Sequence, residues 1–321
     1  MIINQNCSPI TVCQSDEESI LKTIEKAGRT CYRSEDKIDN TSSIKFFKMI
    51  IKRGHTSVLE HSNICYFTSH KEKDTSTNIL TCSKSFEERL LSLYENIGDD
   101  GSHFRIRTIN GNKIIIAGNV RGFRNILRKR DLPYDAKFLK TRYPALFKDI
   151  ECEELDESVD LKNFYSFKEK EQLFETLNDN ELDLPMFLFT FITDRGITHE
   201  IVRHRSLQLS QESTRYVNYK DKEIEFISPN IQINNQRLPN EWKTHLGNCS
   251  KLYNNLIEKG WSPQFARSVL PNSLSSKITV SGRLSAWKHF IKLRTDRSAH
   301  PQIQWIARCV KDEFSALGFN F

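Results

Sequence analysis

Apolar residues recur at three- and four-residue spacing in EESILKTIEKAG (17–28) and again in SSIKFFKMIIKRG (42–54), which predicts two amphipathic helices, each closed by its glycine. RTCYRSE (29–35) between them reads as a polar link. The run SNICYFT from Ser62 has strand composition, as does MFLFTFIT from Met186, where Phe187, Phe189 and Phe191 share one face. Asp194-Arg195-Gly196 is expected to break that strand, and Thr198 to cap a short helix, HEIVRHR. The last third is helical again: NEWKTHLGNCSKLYNNLIEKGW, SPQFARSVLP with Pro263 placed to start a helix and Pro271 to stop it, SAWKHFIKLR, and IQWIARCVKDEFSALG.

Charge changes this picture between the two strands. Residues 105–148 hold twelve Lys/Arg against two Asp, whereas residues 151–183 hold twelve Asp/Glu against three Lys. We read 69–185 as an inserted subdomain, with 1–68 and 186–321 forming the main domain. The two halves of the insertion either face each other or water, or the basic half reaches a phosphate. A short echo joins the insertion to the rest: GNVRGFRNIL (118–127) resembles GRLSAWKHFI (282–291) in the placing of its glycine, aromatic, base and apolar pair.

Composition excludes more than it assigns. An apolar content of 38% supports a real core, and a net charge of only +6 argues against a polycationic nucleic-acid arm. The amino terminus lacks a cationic start followed by an apolar run, and no apolar stretch approaches membrane-spanning length, so a cytoplasmic protein is expected. The eight cysteines form no CxxC pair or zinc-type grouping, so reduced thiols and no metal site are expected.

The chemistry concentrates in RHRSLQLSQESTRY (203–216), which holds three arginines, a histidine and five hydroxyls. A guanidinium keeps its proton at working pH and offers a planar fork to two oxygens or a pyrimidine edge. Arg203, Arg205, Arg215, Arg267 and Arg294 come from three segments with apolar neighbours. Convergence of that set asks for an anionic ligand.

RHR followed at Ser213 by a serine resembles the signature of the flavin-dependent thymidylate synthases. GRTCY at Gly28, GHTSVLEHS at Gly54, FITDRGITHEIVRHR at Phe191, QESTRYVNY at Gln211, ARSVLPNSL at Ala266 and HFIKLRTDRSAHPQ at His289 match in the same order. The resemblance implies an α+β fold with a mixed, largely antiparallel sheet packed with helices. It implies methylation of dUMP by bound FAD, with methylenetetrahydrofolate and NADPH as co-substrates, in a homotetramer whose sites draw on several subunits. Arg294 matches the arginine credited with ionising the pyrimidine. Glu200, Arg203, Gln211, Ser213, Arg215 and Arg267 then surround the nucleotide. Ser57, Glu60, Arg203, His204, Arg205, Gln211, Ser285 and His289 fall at flavin-contacting positions, and His55 lines the face for folate or nicotinamide. The thiolate route of the other synthase class is not expected, since no Pro-Cys-His occurs.

Two departures stand against the family pattern. Arg283-Leu284-Ser285 replaces its Asn-x-Arg, which the insertion keeps as Asn119-Val120-Arg121, and Leu207-Gln208 replaces a small pair. One expectation is that the inserted copy supplies what the later copy lost. Other readings left open are C5 alkylation or hydroxymethylation of another pyrimidine nucleotide, a nucleotide sensor without catalysis, and a nucleic-acid-binding protein, the last disfavoured by the modest charge.

Overall fold

The computed structural model describes residues 1–69, 104–109, 113–128, 133–151, 165–166, 183–220, 223–229 and 239–321. Most of the acidic stretch 151–183 lies outside the described residues. The elements begin with strands β1 (Ile2–Ile3), β2 (Asn6–Cys7) and β3 (Thr11–Val12), helices α1 (Glu17–Tyr32) and α2 (Ser42–Arg53), and strands β4 (Ile64–Ser69), β5 (Phe104–Ile109) and β6 (Lys113–Gly118). Helices α3 (Val120–Arg128), α4 (Pro133–Arg142) and α5 (Pro144–Phe147) follow, then strands β7 (Tyr165–Ser166) and β8 (Met186–Asp194). After helix α6 (Arg195–Ile201) come strands β9 (Gln208–Gln211) and β10 (Phe226–Ile227), and helices α7 (Asn240–Glu258) and α8 (Pro263–Ala266). Strand β11 (Ser275–Arg283) and helices α9 (Leu284–Arg294) and α10 (Pro301–Ala316) close the chain. The fold is α+β, and among the described residues no helix is long and apolar enough to cross a membrane.

The chain divides into two compact units, one of Met1–Thr11, Lys26–Ile38 and Phe187–Phe321, the other of Val12–Glu25 and Asp39–Met186. In the first, a sheet runs in the order β2-β8-β11-β9, with β2 antiparallel to β8 and β9 antiparallel to β11. Strand β8 is buried along nearly its whole length, which explains its apolar residues on both faces. The three phenylalanines pack with helices α9 and α10: Phe189 meets Trp287 edge-on at 4.9 Å, and Phe187 meets Phe314 at 5.0 Å. Trp287 is fully buried and donates its Nε1 hydrogen to the Phe187 carbonyl at 3.1 Å, so its one polar atom is satisfied. That anchor fixes α9, and with it the position of Arg294.

The second unit holds a sheet of order β5-β6-β4-β7, with the pairs β5/β6, β4/β6 and β4/β7 all antiparallel. Phe123 of α3 packs edge-on against Phe104 at 5.0 Å and against Tyr66 at 5.9 Å. Arg124 on the same helix is only 1% exposed, yet its charge is matched: the guanidinium donates to both carboxylate oxygens of Asp149 and to the Leu146 carbonyl. A buried cation is tolerated on those terms alone.

Two local expectations fail for physical reasons. Gly28 does not end α1, which runs on to Tyr32 and stops where Arg33 takes φ 47. The last turn buries Ala27 and Cys31, and Thr30 Oγ1 lies 3.0 Å from Thr279 Oγ1. Those contacts outweigh the roughly 1 kcal/mol a helical glycine costs. Gly54 does close α2, at φ 69. Nor is Thr198 a cap: α6 starts at Arg195, and Asp194 caps it by accepting from the Ile197 amide at 2.7 Å.

The echoed segments share a geometry. Gly118 ends β6 before α3, and Gly282 lies at the end of β11 before α9. A Cβ on Gly118 would run into the Phe104 ring and Phe123, and one on Gly282 into the Leu207 side chain. Gly118→Ala and Gly282→Ala should each lower stability by about 1–3 kcal/mol through overpacking. Urea denaturation of the two variants checks this, and an unchanged midpoint would show that neither strand end needs its glycine.

Candidate active site

Helix α6 and the turn after it set the first group of side chains. Asp194 fixes where α6 begins, which places Glu200 near its end, partly exposed. In the following turn His204 is buried while Arg203 and Arg205 on either side are exposed. Its ring packs edge-on against Phe290 at 4.9 Å and lies 6.0 Å from the exposed His289, both on α9.

Arg294, the last residue of α9, closes onto this group. Its Nε donates to His204 Nε2 at 2.8 Å, Nη1 to Glu200 Oε2 at 2.7 Å, and Nη2 to the Glu200 carbonyl at 3.1 Å. Three of the five guanidinium hydrogens are thereby committed, leaving one on each Nη for a ligand. Since Nε2 of His204 accepts, its ring proton belongs on Nδ1 and the imidazole is neutral. Burial, then the charges of Arg294 and His289, hold the His204 pKa down to about 4. Arg294 therefore faces one carboxylate and one neutral ring.

Gln211 on β9 is anchored from behind, its Nε2 donating to Thr198 Oγ1 at 2.8 Å and Ser276 Oγ at 3.0 Å, so its side-chain oxygen is the end left for a ligand. Ser213 follows in a loop held by its own amide on the Cys31 carbonyl at 3.0 Å, and its Oγ accepts from the Arg215 amide at 3.3 Å. Glu212 beside it is buried, accepts from Tyr219 Oη at 2.6 Å, and has its carboxyl pKa pushed up by burial. Exposed Arg215 lies over the Tyr216 ring at 5.5 Å, and Arg267 donates to Thr214 Oγ1 at 3.0 Å. Ser285 is exposed on the first turn of α9, and Arg283 before it is buried.

Ser57 and Glu60 belong to the other unit. Ser57 is exposed, and Glu60 is paired with Arg121. Asn119 is fully buried, and its Oδ1 caps α3 by accepting from the Gly122 amide at 2.8 Å. Of the inserted Asn-x-Arg pair, Arg121 alone retains surface. His55 is half-buried, and burial lowers its pKa.

The structure thus brings Glu200, His204, His289 and Arg294 together, and places Gln211 against the same helix through Thr198. Thr198 was read only as a cap and Ser276 not at all, because a small hydroxyl supporting a glutamine carries no pattern of its own. Arg195 escaped because it was taken only as a strand breaker. Among the described residues, no group of three or more His, Cys, Asp or Glu is placed to hold a metal.

The buried neutral state of His204 has a pH consequence. In the unfolded chain it gains its proton below about pH 6.5, but in the fold only near 4, so stability is lost as pH falls through that window, by an amount on the order of 3 kcal/mol. His204→Gln should flatten this part of the acid limb relative to the parent. Denaturant unfolding at pH 7, 5.5 and 4.5 measures it, and parallel curves for the two proteins would refute a buried neutral imidazole.

The profile described as thymidylate synthase complementing protein matches residues 14–70 and 154–317. A flavin-dependent thymidylate synthase of Pyrococcus abyssi is 30% identical over 161 residues, covering 44% of this chain and 66% of that protein. One from Corynebacterium efficiens is 34% identical over 128 residues, covering 35% of this chain and 50% of that protein. The chain thus spans less than two thirds of the length of these relatives. A crystal structure of a UMP/dUMP methylase PolB from Streptomyces cacaoi, bound with 5-Br dUMP, aligns with a TM-score of 0.38 at 20% identity, covering 46% of this chain and 73% of that one. With well over half of its 321 residues matched by the profile, the chain belongs to the thymidylate synthase complementing protein family.

Proposed function

We propose that this protein methylates C5 of dUMP reductively, taking the carbon from methylenetetrahydrofolate and the reducing equivalents from NADPH through bound FAD. The observation that carries the reading is Arg294, clamped by Glu200 and His204 with two hydrogens left over, in a chain of this family. A guanidinium held in place before the ligand arrives favours the anionic pyrimidine ring, and ring anion is what makes C5 nucleophilic. His204 is too enclosed for broad contact, so its part is to orient Arg294 without adding charge. Glu200 fixes the plane of the fork.

The residues present also fit a flavin. Arg203 and Arg205 are exposed and have no ion-pair partner among the described residues, so they are available to a diphosphate, with His289 on the neighbouring helix as a further donor. Bound flavin supplies the hydride that completes the methyl group. We assign Gln211 and Ser285 to the same cofactor, and Glu200, Arg203, Gln211, Ser213, Arg215 and Arg267 to the nucleotide; Ser57 and Glu60, in the other unit, are assigned to a flavin from the family resemblance alone. A homotetramer in the cytoplasm is part of this reading. Burial raises the thiol pKa of Cys31 and Cys309 and pushes Cys7 up to about 12, which disfavours a thiolate at those three positions.

Purified protein should take up FAD, bleach with NADPH, and recolour on addition of dUMP with methylenetetrahydrofolate. Arg294→Ala should lower turnover by about 10²-fold or more, with the melting curve and flavin spectrum retained. Turnover left intact in that variant would remove Arg294 from the chemistry, and protein that never takes up FAD would end the reading.

A further inference from the structure

Within the unit that carries Arg294, openness alternates along the segment after β9: Gln211, Ser213 and Arg215 retain surface, whereas Glu212 and Thr214 between them are buried. A carboxylate enclosed at Glu212 is unexpected on energetic grounds, because an apolar side chain of similar size fills such a place without desolvating a charge. The reaction described above does not use it. Its contacts show what it holds instead. Tyr219 Oη donates to Glu212 Oε1 at 2.6 Å, Arg33 Nη1 lies 3.8 Å from the same oxygen, and Arg33 Nη2 donates to Glu225 Oε2 at 3.2 Å. The Arg33 guanidinium also lies over the Tyr219 ring, 5.9 Å from its centre.

Arg33 takes this place at a conformational cost. It follows α1 with φ 47, a left-handed backbone that residues other than glycine rarely adopt and that persists only where neighbours hold it. The same end of α1 offers the Cys31 carbonyl to the Ser213 amide at 3.0 Å, and Tyr32 meets Tyr216 at 5.6 Å between ring centres. On the other side, the Glu212 amide donates to the Lys277 carbonyl of β11 at 2.8 Å, and the Tyr219 amide to Tyr253 Oη of α7 at 3.3 Å. Residues 212–219 are therefore strung between α1, β11 and α7, and the carboxylate of Glu212 is where these supports meet. The ammonium of Lys277, the other cation near it, is engaged by Glu35 at 2.8 Å. Burial pushes the Glu212 carboxyl pKa up, and the Tyr219 bond and Arg33 draw it back. Burial and the charge of Glu212 raise that of Tyr219, so the phenol keeps the proton it donates.

We propose that Glu212, with Tyr219 and Arg33, is a positioning residue that fixes the Ser213–Arg215 segment before a nucleotide arrives, and so sets nucleotide affinity and not the rate of the chemical step. That the nucleotide is dUMP rests on the reading above; that these three side chains order the segment does not.

Amide hydrogen exchange on the ligand-free full chain, with calorimetric titration of dUMP and steady-state kinetics, tests it in the parent, Glu212→Gln, Tyr219→Phe and Arg33→Lys. We expect Glu212→Gln and Tyr219→Phe to speed exchange at the Ser213, Tyr216 and Val217 amides by ~10-fold while amides of β8 and β11 keep their parental rates. The KM for dUMP should rise by ~10-fold with kcat within about three-fold of the parent, and Arg33→Lys, which keeps the charge, should lie closer to the parent in both measures. Faster exchange in this segment with no dUMP binding by any of the proteins, parent included, supports the positioning role and sinks the dUMP reading. Unchanged exchange in the segment, exchange raised alike in segment and sheet, or dUMP affinity within about two-fold of the parent overturns the proposal. So does a loss confined to kcat. Should Glu212→Gln fail to fold, Tyr219→Phe, which removes a single oxygen atom, carries the same measurements.

Discussion

The clamp on Arg294 is the constraint from which the rest of the site follows. Its guanidinium joins the end of α9 to the end of α6 and to the turn beyond, through three donors at 2.7–3.1 Å. The pair with Glu200 is only partly enclosed, at 19% and 33% side-chain exposure, so desolvation and attraction largely offset each other and little net stability is gained. What the clamp supplies is direction. Long side chains lose rotamer freedom when they act, and an arginine already held at three of its hydrogens has lost most of it beforehand. The clamp in turn depends on the aromatic packing of Trp287 and Phe290, because a helix that slid on β8 would carry Arg294 away from His204.

Much of this was legible in the sequence, because the strongest signals are periodic. Helix α2 and its glycine stop, the phenylalanine-bearing strand, and the helix ending at Arg294 all follow from local pattern. The failures have different causes. Gly28 inside α1 was decided by a long-range contact, with Thr279, 249 residues away from Thr30, whereas the start of α6 was decided locally, by an aspartate that competes with threonine for the same capping role. No local rule ranks those two candidates. Arg195 was missed because an arginine beside a glycine after a strand looks like punctuation, and only the fold brings it to a cleft wall that also holds Arg267.

The echo between the insertion and the carboxy-terminal region gains physical content from the glycines. At each site a glycine at or next to the strand's last residue has an apolar side chain lying where its Cβ would be, and a buried aromatic follows five residues on, Phe123 in one case and Trp287 in the other. The positions between diverge according to what each unit asks of them. Asn119 caps its helix with its own side chain, whereas Arg283 at the equivalent place makes no cap bond. The next base along is buried and paired as Arg124 in one unit and exposed as Lys288 in the other. The features the two segments share are thus those of packing at a strand-to-helix junction, and those in which they differ are polar. Asn119 is engaged as a cap, and Arg121, the other member of the inserted pair, is held by Glu60 yet still partly open to solvent.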